Sequence, residues 1–319
     1  MKRALILNSG YAYFQRFQEI AKYLESKSFT VDWFNDISIK HKSYDILLVN
    51  SLQLLNQICN TINITAHLLC IPAIYDPQNC PINDLNNIET IKIPELDMLL
   101  EKFKKIIFLS EHDENHSIKI YSHLQRENTK VLTWRWGITS IEKEQINSFN
   151  VNYKDPTFYF YIGTLLEKKQ RIGQLCSQLL PSSLPVHIIH PDRTETDKHK
   201  NLIYSQKFIQ PNRYTPSIMH FVRNGGMPIN IHHEFEIKTK STYNERAVKL
   251  YALGIPHLSD SPFRLMREYG MIVSMIEPFE MDHQLYLCIP PKLAYNDLNP
   301  FLNQNLNKKC LEQLCVDFQ

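Results

Sequence analysis

The sequence predicts an α/β protein of two domains, each a doubly wound, Rossmann-like parallel sheet. Three observations carry that expectation. Short apolar runs alternate with amphipathic stretches through the first half, the rhythm of βαβ units. The rhythm restarts at Asp155–Thr164 with a new strand closed by a glycine. A chain of 319 residues also divides naturally into two units of about 150 residues, each large enough to bury its own core.

In the first half the runs Ala4–Leu7, Thr30–Trp33, Asp45–Val49, His67–Ile71, Lys105–Leu109 and Lys130–Thr133 read as strands. Phe14–Leu24 and His116–Leu124 carry helical spacing of apolar residues between them. Gly10 follows the first strand, where such folds open toward a ligand, but no G-x-G-x-x-G follows it, so a dinucleotide site is not indicated. Asp76, after the His67–Ile71 strand, falls at the carboxyl edge of that sheet; an Asp before a Pro is also a common turn opener. The last strand runs into Thr133–Ile138, where Trp134 and Trp136 flank a turn, and a polar stretch continues through Asn152.

In the second half the strand Asp155–Ile162 ends at Gly163 and Thr164, and Lys168, Lys169 and Arg171 place cations at the start of the following helix. Val186–Ile189 and Ile229–His232 read as further strands, with a helix over Ser217–Arg223 closed by Asn224-Gly225-Gly226. His232 and His233 are adjacent on a strand exit and point to opposite faces, so they cannot readily share a metal; His233 is the one expected near a ligand.

A polar loop then leads to the most informative segment, Asn244–Asp260. Thr242 and Glu245 have the spacing of a capping box, Gly254 closes the helix, and Pro256–Ser259 resumes as a strand. A helix opening at a strand's carboxyl end presents free N–H groups and the positive end of its dipole. Arg246 and Lys249, three apart, add two cations to one face. The loops after Ile162 and His232 thus converge at one sheet edge, where open α/β folds bind ligands, and a nucleotide diphosphate suits the chemistry there.

Composition bounds the alternatives. Apolar content of 43% with 21% charge is ordinary for a globular protein. No stretch approaches the roughly 20 apolar residues needed to span a bilayer, and Met-Lys-Arg leads into a strand without a cleavage-site pattern, so a cytoplasmic location is expected, or a peripheral one at the inner membrane. Seven cysteines without a C-x-x-C pair suggest reduced thiols, neither a disulfide framework nor a zinc site. A net charge of +2, nearly even in both halves, disfavours a nucleic-acid partner.

The pattern Asn244-x-Arg246, small and apolar positions, Ala252-x-Gly254 and a closing Leu258-x-Asp260 resembles the donor-side helix of GT-B glycosyltransferases, most closely the bacterial group that includes spore-maturation proteins. Gly163-Thr164 resembles the first donor-domain loop of the same enzymes, and the likeness covers Asp155 to Asp260. It implies a GT-B fold: an acceptor-side domain at 1–150, a nucleotide-sugar domain at 151–300, and a C-terminal helix at 301–319 packing back on the first, the two domains facing a cleft. It implies transfer of a sugar from a nucleotide diphosphate sugar, UDP foremost, to a hydroxyl of a carbohydrate or lipid-linked acceptor in surface glycan or lipopolysaccharide assembly. No metal or further cofactor is implied. Donor contacts would come from Gly163, Thr164, Lys169, Arg171, His233, Thr242, Asn244, Arg246 and Lys249, with Asp76 as the base on the acceptor. The family usually carries a ribose-binding acid where this chain has Lys249, and the paired acids of related transferases fall on Ser241 and Lys249. A phage-type glucosyltransferase acting on hydroxymethylated DNA bases, a non-catalytic nucleotide-sugar-binding module and a nucleotide-sugar epimerase are the alternative readings.

Overall fold

The computed structural model describes residues 2–7, 14–34, 43–49, 65–71, 101, 103–110, 127–149, 155–165, 169–191, 202–207, 209, 211–232, 237, 243–275, 284–291 and 297–316. The chain divides into two units, Met1–Arg135 with Asn303–Gln319, and Trp136–Leu302.

The first unit is built on six parallel strands, β1 (Lys2–Leu7), β2 (Phe29–Trp33), β3 (Ser43–Val49), β4 (Thr65–Ile71), β5 (Lys105–Ser110) and β6 (Thr129–Thr133). They lie in the order β2-β1-β3-β4-β5-β6. Parallel strands buried on both faces read as continuous apolar runs, and Ala4–Leu7 and Ile46–Val49 are at most 1% exposed. Helix α1 (Phe14–Ser26) turns Phe17, Ile20, Ala21 and Leu24 to this sheet, the i, i+3, i+4, i+7 stripe that an amphipathic helix buries. The helices Asn303–Leu306 and Lys308–Val316 belong to this same core, into which Cys310 and Leu311 insert beside Trp134. Asn307 fastens them: its Oδ1 accepts from Arg135 N at 2.8 Å and its Nδ2 donates to Arg135 O at 2.9 Å. The Asp76 position and the His116–Leu124 segment lie outside the described residues.

The second unit continues with α2 (Ser140–Asn147), β7 (Phe158–Ile162), α3 (Lys169–Ser177), β8 (Val186–His190), β9 (Leu202–Gln206), α4 (Pro211–Arg223), β10 (Gly226–Asn230), α5 (Glu245–Ala252), β11 (His257–Ser259), α6 (Phe263–Tyr269), β12 (Ile272–Met275) and β13 (Tyr286–Ile289). Its strands are ordered β12-β13-β11-β10-β7-β8-β9. The five from β11 to β9 are parallel, so the expected α/β, doubly wound architecture is what both sheets show; β12 and β13 add an antiparallel edge. After β7 the chain winds outward through β8 and β9, then returns to β10 and winds the other way. The topological switch point therefore lies between β7 and β10, the place at which open α/β sheets generally bind ligands.

Several elements differ from the sequence reading: β9, α6, β12 and β13 were not expected, and α4 begins at Pro211, six residues before the expected Ser217. β10 runs over Gly226–Asn230, earlier than the expected Ile229–His232, which leaves His232 beyond the strand. Pro228 masks that start in the sequence, because a proline argues against a central strand. The glycines before it permit it: Gly225 ends α4 at a φ of +87°, and a Cβ on Gly226 would lie 2.6 Å from the Phe158 ring. Helix α2 occupies part of the stretch read as polar connection; Thr139 and Glu142 start it as a complete capping box.

Among the described residues no helix is long and apolar enough to cross a membrane. Cys176, Cys288 and Cys310 are free and buried, and burial pushes each thiol up to about 12.

Candidate functional site

Helix α5 starts at Glu245. Its cap is Asn244, whose Oδ1 accepts from Ala247 N at 2.9 Å, and not the expected Thr242. Asn is a preferred cap because its short side chain reaches back to the orphan N–H groups of the first turn. The same side chain donates through Nδ2 to Ile231 O at 3.4 Å, pinning the helix start to the exit of β10. Thr242 and His233 lie outside the described residues.

Arg246, in the first turn, points across the switch point to β7. Its guanidinium lies 4.6 Å from the centroid of the Tyr161 ring and 5.8 Å from that of Tyr214. Its Nε donates to the Tyr214 hydroxyl, which in turn donates to Ile162 O at 3.3 Å. The Tyr161 hydroxyl donates to Thr164 O at 3.0 Å, which fixes the loop that β7 delivers. Gly163 leaves room for this arrangement: a Cβ there would stand 2.2 Å from Arg246 Nη2 and 2.9 Å from the Tyr161 hydroxyl, so a side chain would displace the guanidinium. Arg246 Nη1 is buried and, among the described residues, without a hydrogen-bond partner. Burial raises the Tyr214 phenol above its ordinary range despite the adjacent guanidinium, so Arg246 sits on neutral partners and keeps its full charge.

Lys249 corrects the sequence expectation. One turn deeper than Arg246, it is 2% exposed, and its ammonium is held by Glu142 Oε1 at 2.7 Å and by Glu245 Oε1. Burial alone would lower its pKa, but the two carboxylates raise it above the usual lysine range. Glu142 also accepts from Thr215 Oγ1 at 2.9 Å, and Lys249 holds its carboxyl below the ordinary range against the opposing effect of burial. Two carboxylates consume this cation inside the protein, so it is not presented to a phosphate.

The second arginine lies on the other side of the switch point. Arg171, in the first turn of α3, places Nη2 2.8 Å from Asp260 Oδ2 at the end of β11. His232 approaches Asp260 Oδ1 through Nδ1 at 2.7 Å. Lys169 opens α3. Glu142, His232 and Asp260 were not read as site residues from sequence. Thr139-x-x-Glu142 and the closing Asp260 are visible there, but nothing in the sequence pairs them with Lys249 and Arg171.

In sum, this edge brings together Gly163, Thr164, Asn244, Arg246 and Arg171, two of them cationic, around the first turns of two helices. It can stabilise negative charge through guanidinium groups and helix N-termini. Among the described residues there is no cluster of three or more side chains able to hold a metal ion.

The solved structures similar to this chain include glycosyltransferases. A sucrose-phosphate synthase from Thermosynechococcus elongatus is 9% identical, with 81% of each chain covered and a TM-score of 0.47. The T4 phage β-glucosyltransferase is 15% identical over 82% of this chain and 80% of its own, with a TM-score of 0.45. The spinosyn forosaminyltransferase SpnP is 12% identical over 98% of this chain and 94% of its own, with a TM-score of 0.37. No family model and no curated protein matches the chain.

Proposed function

We propose that this protein is a GT-B-type glycosyltransferase that moves a sugar from a nucleotide diphosphate sugar, UDP foremost, to a hydroxyl acceptor, in surface glycan or lipopolysaccharide assembly. One observation carries the reading. Arg246, a charged group on neutral partners at a capped helix start, offers an unsatisfied buried Nη1 beside a glycine that only a close approach explains. Leaving such a donor unpaired costs about 1–3 kcal/mol, which an anionic ligand would offset.

In this mechanism the sugar–phosphate bond breaks as the acceptor oxygen attacks, and negative charge grows on the departing diphosphate. Arg246 and the first turn of α5 stabilise that charge from one side, and the Gly163-Thr164 loop with Lys169 and Arg171 at the start of α3 does so from the other. Asp76 is the proposed base that takes the acceptor proton, and Thr242 and His233 are proposed to border the nucleotide.

The test is a thermal-shift panel of UDP, GDP, CMP, ADP and dTDP with their sugar conjugates, repeated on Arg246→Ala, followed by transfer of labelled sugar. A ligand at a hundred times its Kd adds about 2.7 kcal/mol of stability. Stabilisation by one nucleotide family, lost in the variant, supports the donor site. Stabilisation without transfer or hydrolysis favours the non-catalytic module, and no shift at all rejects the reading.

A further inference from the structure

Asp260 is 4% exposed, and its side chain is fully buried. Its carboxylate accepts from Arg171 Nη2 at 2.8 Å, from His232 Nδ1 at 2.7 Å, and from His232 N at 3.1 and 3.2 Å. Those contacts draw on three elements: α3, the exit of β10, and the end of β11. His232 is itself completely buried, with Asn230 Nδ2 at 3.4 Å from its Nε2 and also 3.3 Å from Ser259 Oγ. With the Asn230 amide as donor, His232 carries its proton on Nδ1 and gives it to Asp260, an assignment made from the network. The carboxylate then keeps its charge: burial acts to raise the Asp260 pKa, but His232 and Arg171 together bring it below the ordinary range.

The arginine in this chain of contacts is only half used. Nη2 is held, while Nε and Nη1 are buried and, among the described residues, have no partner. A planar guanidinium fixed by one nitrogen holds its remaining donors in set directions, Nε–H to one side and Nη1–H to another, and either suits an anionic oxygen. Unpaired buried N–H groups are costly, and an anionic oxygen would satisfy them.

The geometry points to Asp260 as a positioning residue: with His232 it fixes Arg171 so that Nε or Nη1, which face different sides of the guanidinium, donates to an anionic oxygen of the ligand bound at the switch point. This deepens the proposed donor site and rests on it for the identity of the ligand. It does not rest on it for the state of Arg171.

Two readouts on the full-length protein separate those parts. The first is the ¹⁵N NMR signal of the Arg171 guanidinium, identified by its loss in Arg171→Lys, in wild type and in Asp260→Asn without any ligand. Hindered rotation in wild type, released in the variant, is expected. The second is calorimetric binding of inorganic pyrophosphate and of UDP to wild type, Asp260→Asn, Arg171→Ala and the double variant. Loss of a charge-assisted contact weakens affinity about tenfold to a hundredfold, and because Asp260 acts through Arg171, Asp260→Asn costs nothing further once Arg171 is gone. If Asp260→Asn fails to fold, His232→Ala serves in the same cycle.

An unchanged Arg171 signal overturns the proposal, and so do losses that add in the double variant, which would mark a purely structural pair. Wild type that binds pyrophosphate but not UDP rejects the nucleotide reading and leaves the positioning role standing. Wild type that binds neither rejects both.

Discussion

Lys249 Nζ stands 2.7 Å from Glu142 Oε1, and the two side chains are 2% and 5% exposed. The pair joins α5 to α2, and through Thr215 to α4, inside the second unit. Removing one partner of a buried ion pair leaves the other charge uncompensated and costs about 3–5 kcal/mol. Lys249→Met, which strands the buried Glu142 carboxylate, is expected to lower the urea midpoint sharply, Glu142→Gln less because Glu245 still faces the ammonium, and the double variant to recover part of the loss. Equal and additive losses would show that the pair is not coupled.

Arg246→Ala is expected to weaken nucleotide binding by about tenfold to a hundredfold, the worth of a hydrogen bond to a charged group. Arg246→Lys should recover little of it, because an ammonium can neither stack on Tyr161 as a plane nor donate from two nitrogens in a fork. Calorimetry on both variants checks this; a fully competent lysine variant would reduce Arg246 to a point charge.

Gly163→Ala tests the fit of the β7 loop against α5. The new methyl group cannot coexist with Arg246 Nη2 at 2.2 Å, so the guanidinium must leave its seat. Overpacking of this kind costs about 1–3 kcal/mol. The expected outcome is a moderate drop in melting temperature together with a binding defect matching that of Arg246→Ala. Normal binding would mean that the guanidinium has another productive position.

His257 makes stability depend on pH in a defined window. It is completely buried, its Nδ1 lies 2.9 Å from Ile255 O, and burial pushes the imidazole down to about 4. The unfolded chain takes up this proton near pH 6.5 and the folded protein does not, so stability is complete above pH 6.5 and falls as the pH drops toward 4. The interval corresponds to about 3 kcal/mol. Glu142 and Asp260, both lowered, lose their contributions only below their unfolded values near 4. Urea melts from pH 7 to 4 on wild type and His257→Gln should differ in slope across that window; parallel curves would assign the acid sensitivity elsewhere.

Asn244→Ala removes the cap of α5 and should cost about 1 kcal/mol, within a range of 0.5–2. Thr242→Ala should cost less, since Ala247 N is bonded to Asn244 Oδ1. The reverse order in a denaturation series would restore the capping box that the sequence suggests.

Most parallel strands of both sheets were legible because strands buried on two faces give continuous apolar runs; β9, exposed along most of its length at the sheet edge, was not. Val186–His190 and the six strands of the first unit begin and end within two residues of their sequence reading. β12 and β13 were not legible: four residues each, paired antiparallel at the sheet edge, they are too short to show a period. At the site, the α5 helix with Arg246 in its first turn follows from local spacing, although the cap falls on Asn244, two residues after the expected Thr242. The fate of Lys249 does not, because it is decided by Glu142, a residue on a different helix. The pairing of Arg171 with Asp260 is hidden for the same reason: it is made between α3 and the end of β11, and only the fold brings them together.

The clasp between Arg135 and Asn307 means that the first unit is assembled from the two ends of the described chain, with the second unit threaded between them. On the ribosome the order of emergence is therefore not the order of completion. Residues 136–302 are contiguous and can close their own core while translation continues. The sheet made earlier waits with Phe17, Ile20 and Trp134 uncovered until Cys310 and Leu311 are synthesised. The half of the protein that is born first is the last to be finished.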